Sequence, residues 1–88
     1  MSKKDKLIKR LKTRPKDFTY NELRTLLKYL EFAEDNKGKT SGSRVVFYNK
    51  EVNKKIEIHR PHPKNIIKGY AIDNVLKNLE EIGVIENE

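Results

Sequence analysis

The sequence predicts one α+β domain with the element order helix, helix, three short strands, helix. Two stretches with leucine or isoleucine at helical spacing enclose a central region rich in β-branched and aromatic residues. The 88 residues suffice for one hydrophobic core, since two fragments would each bury too little surface. We therefore expect a main body at 17–88, preceded at 1–16 by a basic helix or arm.

The first predicted element is a short helix at residues 5–11. Its apolar stripe has helical spacing and consists of Leu7, Ile8 and Leu11. The stripe stops before Pro15, which a helix interior does not accommodate. Basic side chains cover most of the opposite face, so the alternative is a partly disordered basic arm.

The second helix has the clearest start signal in the chain. Thr19 and Glu22 have the spacing of a capping box, in which each residue bonds the other's backbone N–H. An apolar stripe with the i, i+3, i+4, i+7 pattern follows, formed by Leu23, Leu26, Leu27 and Leu30. A helix across this stripe is therefore predicted.

The central region is predicted to be extended. Residues 32–37 form a short extended segment, and the turn-rich residues 37–42 form a loop. Residues 44–48 and 55–59 are β-branched and aromatic and form a hairpin. Because side chains alternate along a strand, one face of this sheet is core and the other meets solvent. The core face takes Val45, Phe47, Ile56 and Ile58, and the solvent face takes Tyr48, Lys55, Glu57 and His59.

The last helix follows a segment that two prolines hold extended. Pro61 and Pro63 exclude a helix there, because proline fixes φ and restricts the residue before it. An i, i+3, i+4, i+7 stripe then appears in Ile72, Val75, Leu76 and Leu79. Gly83 is suited to end this helix.

Composition favours a soluble protein with an anionic partner. The formal net charge is +7, from 20 Lys and Arg against 13 Asp and Glu, so a polyanion such as RNA is a plausible ligand. The absence of cysteine excludes disulfides, thiol catalysis and a zinc ribbon. No apolar run is long enough for a membrane span or a signal sequence, so we expect a cytoplasmic protein with no membrane partner. With 35% hydrophobic and 38% charged residues the core must be thin, so we expect no large organic cofactor.

The charge is unevenly distributed along the chain. Residues 3–16 carry eight basic side chains and one acidic, and residues 37–68 carry nine basic and two acidic. From Asp73 onward the sign reverses. A merely solubilising surface would interleave its charges more evenly, so a basic body with an acidic C-terminal end is expected.

The span from about Tyr20 to Gly83 resembles the HicA family of bacterial toxins. The resemblance rests on the leucine helix followed by Gly42-Ser43, Ile56-Glu57-Ile58, Pro61-His62 and Lys68-Gly69. It implies a three-stranded antiparallel sheet packed on two main helices, similar to double-stranded-RNA-binding domains, with the N-terminal helix or arm as an addition. It also implies an mRNA-cleaving toxin that a HicB-like antitoxin neutralises.

The resemblance departs from the family at Arg44. Many members have a histidine there, to which catalysis is assigned, and an arginine cannot serve as a general base because its guanidinium stays protonated. Arg44 can still bind a phosphate, together with Gly42 and Ser43, which allow a close backbone approach and a hydroxyl contact. The alternative is a tight strand start with an exposed arginine.

The two histidines are the candidate acid–base residues. RNA cleavage by attack of the 2′-hydroxyl needs one group to take a proton and another to return it, and histidine titrates near neutral pH. His62 matches the Pro-His step of the family, whereas His59 has no counterpart there. No Asp, Glu or Cys accompanies them at ligand spacing, so no metal site is expected. The alternative is a pair of surface histidines.

Further RNA contacts are predicted from basic and aromatic residues. Arg60, Lys64 and Lys68 are candidates for phosphate contacts, and Tyr48 is a candidate for stacking on a base.

Two other functions stay open. One is a binding module without chemistry, which the missing histidine favours, and the other is a winged-helix DNA-binding protein, because two helices before a hairpin also fit that arrangement.

Overall fold

The predicted α+β fold is confirmed by a computed structural model that describes residues 3–35, 44–61 and 64–85. Three helices and three strands follow one another in the predicted order. They are α1 Lys3–Lys12, α2 Tyr20–Tyr29, β1 Ala33–Asp35, β2 Arg44–Asn49, β3 Lys54–His59 and α3 Gly69–Glu81. None of the helices in these ranges combines the length and apolar composition needed to cross a membrane.

The strands form one antiparallel sheet in the order β1-β2-β3. In the hairpin, Phe47 pairs with Ile56 and Val45 with Ile58, and all four side chains are buried on the helix-covered face. Asn49 is also buried at the end of β2: its Nδ2 donates to the Leu30 carbonyl at 3.0 Å and its Oδ1 accepts from the Glu51 N–H at 2.9 Å. The sheet is thereby fixed to the end of α2.

The core includes α1 as well as the sheet and the two main helices. Leu11 is fully buried in the same cluster as the leucines of α2 and the apolar residues of α3. Of the two alternatives for the N-terminal segment, a helix or an arm, the structure shows the helix. Its basic residues therefore occupy fixed positions on the surface of the domain.

The connection before α3 runs alongside the start of α2. The Ile67 N–H donates to the Phe18 carbonyl at 2.7 Å, and the Tyr20 N–H donates to the Asn65 carbonyl at 3.0 Å. A β-bridge joins Thr19 to Ile66 between these bonds. Two segments far apart in sequence are thus held side by side.

Candidate nucleic-acid interface

The solvent face of the sheet brings together two of the predicted site residues. Arg44 and His59 are direct partners across β2 and β3, and directly opposite residues have Cα atoms about 4.5–5.5 Å apart. Both side chains are exposed. The sheet therefore presents an imidazole and a guanidinium side by side to solvent.

The same face also carries a carboxylate. Arg44 Nη2 lies 3.4 Å from Glu57 Oε1, and about half of each side chain is exposed. The pair orients the guanidinium and lowers the net positive charge of this surface. The outer face of the sheet therefore carries both signs of charge.

Tyr48 lies at the opposite end of this face. It is four residues from Arg44 on β2, which corresponds to about 13 Å along a strand. Its hydroxyl donates to Asn53 Oδ1 at 2.8 Å in the hairpin turn. A base stacked on Tyr48 would therefore not lie beside the Arg44–His59 pair.

Arg60 does not belong to the outer face of the sheet. It contacts Glu34 and Tyr20 instead. Its Nη2 is 3.6 Å from Glu34 Oε2, and its guanidinium covers the Tyr20 ring at 5.8 Å from the centroid. Arg24 Nε binds the other oxygen of Glu34 at 3.0 Å. Burial, followed by the hydrogen bond to Glu34, raises the pKa of Tyr20 above its ordinary value. Glu34 thus holds two arginines at the edge of the sheet.

Lys64 and Lys68 lie in a cleft of about 640 Å³ between two segments, the turn at residues 14–16 and the connection at 61–69. The turn contributes Arg14 and Lys16 to the same cleft. All charged residues that line it are basic, and the remaining lining residues are Pro15, Pro61, Ile66, Ile67 and Gly69. No acidic side chain lines this cleft, so it presents a basic concave surface.

The sequence indicated Arg14 and Lys16 only as part of a basic segment. Arg14 adopts a positive φ of 52°, which turns the chain after α1. Its Nε donates to Asp73 Oδ1 at 2.6 Å and so brings the turn against α3. The opposite charges of Arg14 and Asp73 were visible in the sequence, but no local pattern pairs residues 59 positions apart.

Three of the predicted site residues, Gly42, Ser43 and His62, lie outside the described residues. Within residues 3–35, 44–61 and 64–85, no group of His, Asp and Glu is arranged to hold a metal ion. The Arg44–His59 pair and the basic cleft are the described surfaces that bring predicted site residues together with groups able to contact a phosphate chain. Pro61 lines the cleft two residues after His59, so the two surfaces follow each other along the chain.

Comparison with known proteins gives no assignment. No family model matches the chain, and neither the curated proteins nor the solved structures contain a significant match to it. The functional argument therefore rests on the residues and their geometry.

Proposed function

We propose that this chain is a cytoplasmic RNA-binding toxin similar to HicA, which binds and cleaves mRNA and is neutralised by a HicB-like antitoxin. The observation that carries the proposal is the direct pairing of Arg44 with His59 on the exposed face of the sheet. The order of the elements also agrees with the resemblance, because helices precede and follow the three strands of the antiparallel sheet along the chain.

The proposed reaction is a metal-independent transesterification. A histidine takes the proton of the 2′-hydroxyl, the O2′–P bond forms, the P–O5′ bond breaks, and a second group protonates the leaving O5′. The products are a 2′,3′-cyclic phosphate and a 5′-hydroxyl. Arg44 stabilises the negative charge that develops on the phosphoryl oxygens, because a guanidinium binds two such oxygens at once.

His62 and His59 are the proton-transfer candidates. The family resemblance favours His62 as the essential residue, and the cross-strand pairing places His59 next to Arg44. Residues three apart in an extended segment are separated by at most about 11 Å. This spacing suits one histidine on either side of a scissile phosphate.

A binding module without chemistry is the second candidate. The ion pair between Arg44 and Glu57 favours it, since a guanidinium beside a carboxylate offers less net charge to a phosphoryl group. A winged-helix DNA-binding protein has less support. Of the two basic side chains on α2, Arg24 is already paired with Glu34, which leaves Lys28 to contact DNA.

Substitution of His62 and Arg44 separates these roles. His62→Ala is expected to lower single-turnover cleavage of a mixed-sequence RNA by about 10²–10⁴-fold with nearly unchanged RNA affinity. Arg44→Ala should weaken both binding and cleavage, and Arg44→His should raise the rate. The measurements are cleavage by the purified variants, RNA affinity at low and high salt, and growth arrest on expression.

Lys28→Ala is a matched control, because it removes a positive charge from a helix outside the proposed site. Full activity of His62→Ala would contradict its role in proton transfer. Cleavage by none of the variants, with RNA binding retained, would select the module without chemistry. Stronger binding to duplex DNA than to RNA would select the winged-helix alternative.

A further inference from the structure

We propose that the basic cleft between residues 14–16 and 61–69 binds one unpaired nucleotide of single-stranded RNA. This inference rests on the proposed RNA-binding function and specifies the form of RNA that the chain recognises. The phosphate would contact the basic side chains, and the base would pack on the apolar lining residues. The site is distinct from the Arg44–His59 pair.

The charge of the cleft favours a phosphate. Four basic side chains line it and no acidic one does. Arg14 is engaged by Asp73 at 2.6 Å, whereas the ion pairs in the described part of the chain involve none of the three cleft lysines, Lys16, Lys64 and Lys68. Each lysine can therefore turn its ammonium group toward a phosphate without breaking an internal pair.

The shape and lining of the cleft favour an unpaired base. Its volume of about 640 Å³ lies within the usual range of about 300–1,000 Å³ for small-molecule sites. Pro15, Pro61 and Ile66 are partly buried and Ile67 is almost fully buried, so they supply an apolar surface beside the cations. A duplex keeps its bases stacked inside and cannot insert one into such a cleft, whereas single-stranded RNA can.

The walls of the cleft are held in place before any ligand binds. The hydrogen bond from the Ile67 N–H to the Phe18 carbonyl and the Thr19–Ile66 bridge fix one wall. The Arg14–Asp73 pair fixes the other. Because these contacts already order the backbone of the lining, the conformational entropy lost on binding is mainly that of the lysine side chains.

The residue that follows the cleft lining in the sequence is an exposed tyrosine. Tyr70 follows the lining residue Gly69 in the first turn of α3, and 66% of its surface is exposed. A neighbouring base can stack on this ring, since stacking on aromatic side chains is the common mode of recognition for single strands. The cleft and Tyr70 together are suited to two successive nucleotides.

The location of the site can be tested by NMR of the ¹⁵N-labelled chain. AMP and a single-stranded RNA of mixed sequence should both shift the amide signals of Lys16, Lys64, Lys68 and Gly69. The same RNA annealed to its complement and inorganic phosphate should cause smaller shifts there. Equal shifts with phosphate and AMP would overturn the claim that the cleft binds a base, and shifts confined to β2 and β3 would overturn the site.

The contribution of the cleft lysines to RNA affinity can be tested with a triple variant, Lys16→Gln/Lys64→Gln/Lys68→Gln, called the cleft variant here. Its control, Lys28→Gln/Lys50→Gln/Lys77→Gln, removes the same charge from exposed positions outside the cleft. For single-stranded RNA, log K falls as log salt rises, and each lost phosphate contact makes this slope less steep by about 0.7. The cleft variant should show this loss for single-stranded RNA, and the control a smaller one.

The two proposals fail in different ways. If the parent chain binds no RNA, the proposed function fails, and AMP shifts at the cleft still report whether it binds a nucleotide. If the parent chain binds single-stranded RNA and the two triple variants weaken it equally, the cleft inference fails while RNA binding stands. Tighter binding of duplex than of single-stranded RNA would also overturn the cleft inference. Preferential binding of an acidic peptide over RNA would assign the cleft to a protein partner instead.

Discussion

Arginine and lysine have different roles in this protein. Every arginine in the chain makes an ion pair with a carboxylate, and the pairs are Arg10 with Asp17 and Glu22, Arg14 with Asp73, Arg24 and Arg60 with Glu34, and Arg44 with Glu57. The planar guanidinium suits such directed contacts, whereas a lysine on a flexible stem stays hydrated. The lysines therefore supply most of the charge available to a partner.

Glu34 is expected to contribute more to stability than the other strand glutamate, Glu57. Only 10% of the Glu34 side chain is exposed; it forms ion pairs with Arg24 and Arg60 and accepts from the Tyr20 hydroxyl. Glu34→Gln should lower the free energy of unfolding by about 1–3 kcal/mol, because the charge that holds these groups is removed. The measurement is urea unfolding at neutral pH.

Glu57→Gln is the matched control for Glu34→Gln. Its ion pair with Arg44 is half exposed, and such surface pairs contribute at most about 1 kcal/mol. If the two substitutions lowered the free energy of unfolding equally, burial of the Glu34 carboxylate would add nothing to its contribution to stability.

At the level of elements, short sequence patterns were sufficient to predict the features that depend only on neighbouring residues. The spacing of Thr19 and Glu22 predicted a capping box, and both of its hydrogen bonds are present at the start of α2. Strand alternation correctly assigned Phe47 to the core and His59 to solvent. The apolar stripe of α3 was also correct, although the helix begins at Gly69, before the stripe.

Features that depend on distant residues could not be predicted in the same way. The burial of Leu11 depends on α1 packing against α2 and α3, and no pattern within residues 5–11 distinguishes this helix from a solvated basic arm. The cleft depends on the hydrogen bonds that place residues 65–67 beside residues 18–20. The sequence thus identified Lys64 and Lys68 as candidates but not the partners that complete the site.

The pairing of Glu22 with Arg10 should make part of the stability of the fold dependent on pH. The hydrogen bond from Arg10, followed by that from the Thr19 N–H, lowers the pKa of Glu22 below its ordinary value of 4.5 in the folded chain. The folded state therefore binds this proton more weakly than the unfolded state. The resulting stabilisation is fully present above pH 4.5 and is lost as the pH falls through the lower folded pKa.

Glu22→Gln is expected to remove this pH-dependent stabilisation. At neutral pH the variant should be less stable than the parent by at most about 1 kcal/mol. It loses the charge that pairs with Arg10, whereas the glutamine oxygen can still accept from the Thr19 N–H. The difference should shrink as the pH falls below 4.5, the ordinary value for this carboxyl. Urea unfolding across this pH range measures it, with Glu51→Gln in the exposed hairpin turn as the control. A difference that stays constant with pH would contradict the assignment to the Glu22 carboxylate.

At the level of the whole molecule, the acidic C-terminal helix neutralises part of the basic body. Asp73 binds Arg14, and Glu81 forms an ion pair with Lys54. The opposite charges that the sequence separates along the chain are therefore partly brought together by the fold. The three cleft lysines are outside these pairs, so no carboxylate in the described part of the chain pairs with them to offset their charge.

The cleft lysines should consequently be unfavourable for folding although they favour binding. Like charges held close together repel one another in the compact state, and this repulsion is screened by salt. The cleft variant should be as stable as the parent or up to about 0.5 kcal/mol more stable at low salt, and the two should converge at high salt. Urea midpoints at low and high ionic strength test this, with the triple variant at Lys28, Lys50 and Lys77 as the control. If the cleft variant is instead less stable than the parent by more than about 1 kcal/mol, the lysines contribute contacts that the fold requires, and weaker RNA binding by that variant would have to be attributed to a disturbed structure.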